Sequence, residues 1–426
     1  MNNTSEKHKI HFAWFVMTGL GLLAAGSAGS YTVLVGSFLT PVSTDLGIDL
    51  STLSYYFTAL IIALALTLPF VGKVLPKMNL PVSLTAISAI EVLAGGLMSI
   101  FTKAWMFYVA AIVIGICMAF TCMVPMSIIM DNWFKKKTGF AIGICWSFTS
   151  VYLAIMSPVL SKIIESMGWR VSFVVLAVVS GALMLPSTIF LIRYKPSDKG
   201  LLPYGYEKTD EEPTAEEVAN ATEEDSGISL KKMLRSPAFI AVAATLCIIQ
   251  LTVVMNQLFP TYAVSVGFDA TVGGLMVSAA MIFDMILNPI IGATCDRYGS
   301  VKAILGWDVI SILSFVILIF STDKGLPYLA IFGAGVNDVM YVICGVGITA
   351  LAMTAFGSKN FGKIFSYIVA LGYIVGSFGM PLMTDIYEKF GSFQAVFITC
   401  IILDCVIAVL VIISQQAGKK LHEKAS

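Results

Sequence analysis

Pro289-Ile-Ile-Gly-Ala-Thr-Cys-Asp-Arg-Tyr-Gly299 is the stretch on which the reading of this chain turns, because an altered copy, Pro69-Phe-Val-Gly-Lys-Val-Leu-Pro-Lys77, stands 220 residues earlier. Pro69 and Pro289, Gly72 and Gly292, and Lys77 and Arg297 all keep that offset. Further along, Gly139 pairs with Gly362 and Pro158 with Pro381, both at 223. Five anchors at nearly one spacing mark an internal repeat, so the chain reads as two like halves.

Each copy of the stretch is flanked by apolar runs of membrane-spanning length. A bilayer core takes about 20 apolar residues per helix. Runs of that size fall near 12–40, 52–72, 80–102, 105–130, 139–161 and 171–193. Six more follow near 237–260, 271–293, 301–321, 327–354, 362–384 and 393–415. The runs are continuous and do not alternate with period two, which predicts helices and excludes a barrel. Of the 426 residues 58% are hydrophobic and 12% charged, about half the charged share of a soluble protein. The sequence therefore predicts an all-α membrane protein of twelve transmembrane helices in two six-helix repeats.

The positive-inside rule orients it. One set of loops, with the termini, carries 21 of the 26 Lys and Arg residues, including Lys7, Lys9, Lys73, Lys77 and Lys135 to Lys137. The opposite set carries Lys103, Lys162, Arg170, Lys324 and Lys389. Both termini are expected in the cytoplasm, with the chain multi-pass in the inner, cytoplasmic membrane. The expected divisions are an N-terminal bundle over 1–193, an acidic cytoplasmic linker over 194–235 and a C-terminal bundle over 236–426. Glu207 to Asp225 holds nine acids and little that is apolar, the composition of a solvated tether.

Several function classes drop out. The formal net charge is zero, which offers nucleic acid no basic surface. Eight cysteines, among them Cys117, Cys122, Cys247, Cys344, Cys400 and Cys405, are scattered through apolar runs without metal spacing. The three histidines, His8, His11 and His422, lie near the termini, so no histidine metal site or proton relay fits inside the membrane. The first apolar run is too long for a cleavable signal. Gly357 to Lys363 matches a P-loop up to Ile364, where a Ser or Thr is required, and no strand precedes it. No ATP site, metal or other cofactor is expected, and energy must come from ion or solute gradients. An enzyme is not expected either, since it would need a nucleophile, base or metal cluster and no His or Lys stands well inside the spans.

The repeat, the central loop and Gly292-Ala-Thr-Cys-Asp-Arg-Tyr-Gly299 resemble the major facilitator superfamily, whose loop between helices eight and nine carries G-x-x-x-D-R-x-G. The resemblance assigns Gly292, Asp296, Arg297 and Gly299 to a gating brace, with Asp and Arg tying neighbouring helix ends together. Asn132 to Gly143, Gly168-Trp-Arg170 and Lys195 to Gly205 are similar to the oxalate–formate antiporter and monocarboxylate transporter group. Ser30-Tyr31 resembles that group's first helix, with Val35 or its neighbours where the group has Lys, and Phe283-Asp-Met-Ile-Leu-Asn-Pro289 its eighth, with Asn288 where the group has Arg. The resemblance implies a carrier that lines its path with helices 1, 2, 4, 5, 7, 8, 10 and 11.

The ionisable residues well inside the spans are Glu91, Asp284, Asp308, Asp338 and Asp404, with no Lys or Arg among them. An acid at helix centre costs about 2.5–3.5 kcal/mol on insertion scales, so each calls for a cavity, a partner or a proton. Asp284 and Asp338 fall on path-lining helices and are the candidates for proton coupling. Glu91, Asp308 and Asp404 are expected to reach a hydroxyl, a helix end or an interface. Polar neighbours supply the candidate substrate contacts: Asn288 one turn beyond Asp284, and Asn337 and Tyr341 around Asp338. Gln250 and Asn256 join them from helix 7, Trp146 and Tyr152 from helix 5, and Tyr31 from helix 1. The expected function is secondary active transport of a small organic solute by alternating access, proton-coupled or by exchange, in a lipid-embedded monomer. A carboxylate follows from the resemblance. The missing cations leave a neutral, zwitterionic or amine-bearing solute open, and a transporter-derived sensor is the alternative of another class.

Overall fold

The computed structural model describes residues 11–134, 138–205, 234–356 and 361–423. The acidic tract Glu207–Asp225, Lys135 to Lys137, the terminal lysines 7, 9 and 424, and positions 357–360 of the P-loop-like stretch lie outside them.

The described residues are almost wholly helical. In chain order the helices are α1 (Phe12–Leu46), α2 (Leu50–Val74), α3 (Leu80–Ile100), α4 (Ala104–Trp133), α5 (138–167), α6 (169–191), α7 (Pro237–Ser265), α8 (Ala270–Tyr298), α9 (Ser300–Lys324), α10 (Pro327–Phe356), α11 (361–390) and α12 (Phe393–Glu423). Eleven continuous stretches among the described residues are long and apolar enough to cross a membrane. One of them, Ala141–Leu191, is 51 residues long. It is two crossings, because Gly168 at φ 78°, ψ 163° leaves the helical region and reverses the chain. Only glycine takes that conformation without strain. The count is therefore twelve, at the positions the apolar runs predict.

Helix is the form these runs take because it pairs every backbone N–H and C=O within the segment. Where the helices break, they do so in a pattern. α1 is π-helical over Ala25–Val33 and 3₁₀ over Leu34–Phe38. α4 breaks at Cys122, α7 at Val253 and Val254, and α10 at Asp338 with a π segment over Ile343–Gly347. Helices 1, 4, 7 and 10 each open a set of three. α11 also breaks, at Ser377 and Phe378. Proline interrupts the counterparts α2 (Pro69) and α8 (Pro289).

The two halves close on each other on the side away from the termini. There Ser54 Oγ and Thr384 Oγ1 meet at 3.0 Å, and Thr58 donates to the Ser377 carbonyl at 2.5 Å. Ser278 donates to the Ala154 carbonyl at 2.6 Å, and the Ser51 amide to Glu388 at 3.0 Å. A Cβ at Gly36 would fall on the Gln257 carbonyl, and one at Gly274 would lie 2.6 Å from the Pro158 Cα. One apolar core runs unbroken across this seam, from Leu34 and Phe38 to Leu258, Phe259 and Met380. A second core, around Ile291, Ile343 and Ile364, lies within the C-terminal half alone. Towards the termini, Gly143 on α5 and Gly345 on α10 face open space. The outer surface is a belt of exposed Leu, Ile, Val and Phe, such as Leu66, Phe70, Leu93 and Phe190, as a lipid-facing wall requires.

Candidate functional site

The breaks in α7 and α10 bring their side chains together halfway through the bundle. Asn256, two residues past the α7 break, donates its amide to Asp338 Oδ1 at 2.7 Å. Asp338 sits at the α10 break and is buried. On α8, Asn288 reaches back one turn and donates to both the Asp284 carbonyl and Asp284 Oδ1, each at 2.8 Å. The shared face expected from their spacing is thus real. Asp284 and Asp338 stand close enough for their carboxyls to interact directly. Asp338 Oδ2 is buried and has no hydrogen-bond partner among the described residues. From the other half, Ser150 Oγ approaches Asp284 Oδ2 at 3.5 Å, a long contact at the outer limit of a hydrogen bond.

Tyr341, one turn beyond Asp338, completes the site. It is 52% exposed although it stands mid-span, so its ring projects into open space between the halves. Asp284, Asp338, Cys344 and Tyr373 are all in its electrostatic range. Tyr373, Cys344 and Ser150 carry no charge and sit in otherwise apolar runs, which is why periodicity alone does not single them out. No Lys, Arg or His stands in the middle of any span to neutralise the two acids. The site is a pair of carboxyls framed by two amides and a phenol, open towards the termini.

Other expected residues lie elsewhere. Asn337 points away from its neighbour Asp338 and donates to Ser314 of α9 at 2.9 Å. Tyr31 is fully buried, its ring over Gly95 of α3, and not in the open space. The π-helical backbone there bonds i to i+5, so a 3.6-residue period does not place it. Tyr152 faces α1, packing on Gly29 and sharing a 2.8 Å hydrogen bond with Ser30. Gln250 packs against Gly372 and Gly376 of α11, and Trp146 is half-buried on α5 against the main core.

The loop after α8 departs from the brace expected of it. Gly299 adopts φ 83° and turns the chain between α8 and α9. Asp296 and Arg297 are exposed, and among the described residues they form no ion pair. Arg297 lies 5.3 Å over the ring of Tyr298 instead. The Asp296 and Arg297 side chains are both exposed, where a lone ion pair gains little. Gly292 has only Val346 nearby.

Of the remaining intramembrane acids, Asp404 and Glu91 reach hydroxyls, whereas Asp308 Oδ1 is buried with no hydrogen-bond partner among the described residues. Ser311 donates to Asp404 at 2.8 Å between α9 and α12, with Asp308 close by. Glu91 is held by Ser27 and Thr121.

Comparison with curated proteins gives no match. Among solved structures the chain is similar to the nucleoside transporter NupG (D323A mutant), at TM-score 0.72 and 14% identity, covering 95% of this chain and 100% of that one. It is also similar to a bacterial homolog of the human lysosomal transporter Spinster in an inward-facing, occupied conformation, at TM-score 0.65 and 12% identity, covering 96% of each. At those identities the likeness is one of fold. A sequence profile of the Major Facilitator Superfamily matches residues 20–363 and 256–425. Twelve helices in two repeats, the open space between them and this match together place the chain in the Major Facilitator Superfamily.

Proposed function

We propose that this protein is a proton-coupled secondary carrier, and that the Asp284–Asp338 pair is where the proton rides. The observation that carries the reading is the close approach of two acids from α8 and α10, with no Lys, Arg or His in the middle of any span. Two carboxyls that close cannot both ionise, so the pair retains a proton. Asn256 and Asn288 each occupy one outer oxygen, which leaves Asp338 Oδ2 and Asp284 to share the proton between them.

The solute is proposed to be small, polar and without net negative charge. A carboxylate would meet two acids and no counter-cation, a repulsive arrangement in low dielectric. A neutral or amine-bearing solute meets acceptors in the acids and the Asn288 amide oxygen, a donor in Tyr341, and an aromatic face. Exchange between the halves, residues 1–193 and 236–426, would expose the site alternately to the two sides, with 194–235 as the tether. The Lys and Arg bias of the loops favours cytoplasmic termini and an inner-membrane location, and on that reading the side towards the termini faces inward. Monomeric carriers suffice for this cycle.

The test is direct. Purified protein in liposomes with a trapped pH-sensitive dye should move protons when solute is added, and the movement should stop in Asp284→Asn. Solute flux with no accompanying proton movement would contradict the coupling and leave only facilitated exchange.

A further inference from the structure

Away from the acid pair, the N-terminal half encloses an acid of its own. Glu91 of α3 is completely buried, midway through the bundle. Ser27 Oγ donates to its Oε1 at 2.5 Å, Thr121 Oγ1 lies 3.2 Å from its Oε2, and Ser27 and Thr121 are 2.8 Å apart. These three contacts close a ring, and each needs one proton. The two hydroxyls supply two. With an ionised Glu91 two protons must serve three contacts, so one pair of oxygens always faces each other bare, and the Cys117 carbonyl, 3.4 Å from Thr121 Oγ1, competes for the same protons. With a neutral Glu91 the count closes. Ser27 donates to Oε1, Thr121 donates to Ser27, and the Oε2 proton is donated to Thr121.

The titratable groups in reach make the same demand. They are the phenol of Tyr31 on α1, the phenol of Tyr56 on α2 and the thiol of Cys117 on α4. The α6 group nearest this region is the hydroxyl of Ser180, beside Tyr31. None is a cation, and a bare carboxylate here would be an uncompensated charge in the membrane. Ser27 also belongs to the π-helical segment Ala25–Val33, where α1 loses its regular hydrogen bonding. Such segments mark places where a helix can change form.

We propose that Glu91 is a second proton-binding site, independent of the Asp284–Asp338 pair, and that its proton fastens the π-helical middle of α1 to α3 and α4. Losing the proton to solvent breaks the ring and frees the segment. A glutamine at this position keeps both roles, since its amide donates where the acid did, but it cannot titrate.

Two measurements on the full chain in liposomes test this, and neither needs a solute. Infrared difference spectra should contain a protonated-carboxyl C=O band at neutral pH that disappears in Glu91→Gln and survives in Asp284→Asn. Hydrogen–deuterium exchange of the peptide spanning 25–33, compared at matched pH, should be the same in the wild type and Glu91→Gln near neutrality. As pH rises it should become several-fold faster in the wild type alone, and Cys117→Ser should behave as the wild type. A spectrum unchanged by Glu91→Gln would overturn the proposal, as would equal exchange in the two proteins at every pH. Failure of the acid pair to couple protons would leave both readouts unaffected.

Discussion

Asn256 holds one oxygen of Asp338 at 2.7 Å, and the carboxyl's other oxygen has only Asp284 to turn to. Replacing Asn256 by Leu removes a buried donor of similar size and leaves a polar oxygen unpaired, at a cost of about 1–3 kcal/mol. A lower melting temperature in detergent, together with weaker proton coupling, is the expected result. Ala at Gln250, which packs on the α11 glycines, should leave coupling intact. How much of this was legible depends on distance along the chain. Asp284 and Asn288 are four apart on one helix, so helical periodicity puts them on one face, and the structure joins them. Asn256 and Asp338 are 82 apart and meet only because α7 and α10 both break at mid-membrane. Asn337 looked like Asp338's companion in sequence, but adjacent residues on a helix point about 100° apart, and it serves α9 instead.

At the level of single elements, Gly168 is where composition and backbone agree. Apolar runs near 139–161 and 171–193 predicted two spans, and the chain supplies them with a one-residue reversal at φ 78°. Gly168→Ala has no steric obstacle within 4 Å, so its whole effect is backbone strain. A loss of roughly 1–3 kcal/mol is expected, read as a lower thermal midpoint with site chemistry unchanged. The breaks in α1, α4, α7 and α10 were not legible, since no sequence signal marks a π turn or a mid-span break as clearly as proline marks a kink, whereas the α11 break at Ser377 and Phe378 lies one turn before Pro381. The Gly292–Gly299 loop was legible as a turn, through Gly299, but not as a brace: Arg297 stacks on Tyr298 in the state seen here. If Asp296 and Arg297 act when the halves close on the terminal side, Arg297→Ala should slow turnover severalfold while leaving solute affinity unchanged. Equal losses in a binding-and-flux comparison would assign the loop to the site instead.

For the molecule as a whole, the repeat fixed the number of halves, whereas the state in which they rest came only from the seam. Gly36 and Gly274 let backbones approach there as no larger residue would, and Ser54 and Thr384 face each other across it. A Ser54→Cys, Thr384→Cys pair is close enough for a disulfide. It should hold the far side shut and stop transport, with activity restored by a reducing agent. Wild-type protein, none of whose eight cysteines is in a disulfide, is the control. Alternating access without a proton would satisfy that experiment too, so the central claim rests on the acid pair. The measurement that tests it most directly is solute uptake into liposomes under an imposed pH gradient, comparing the wild type with Asp284→Asn and using a solute found by thermal-shift screening. The account predicts that the wild type concentrates the solute, while Asp284→Asn equilibrates it and still exchanges internal for external solute. Accumulation against a gradient by Asp284→Asn would contradict it.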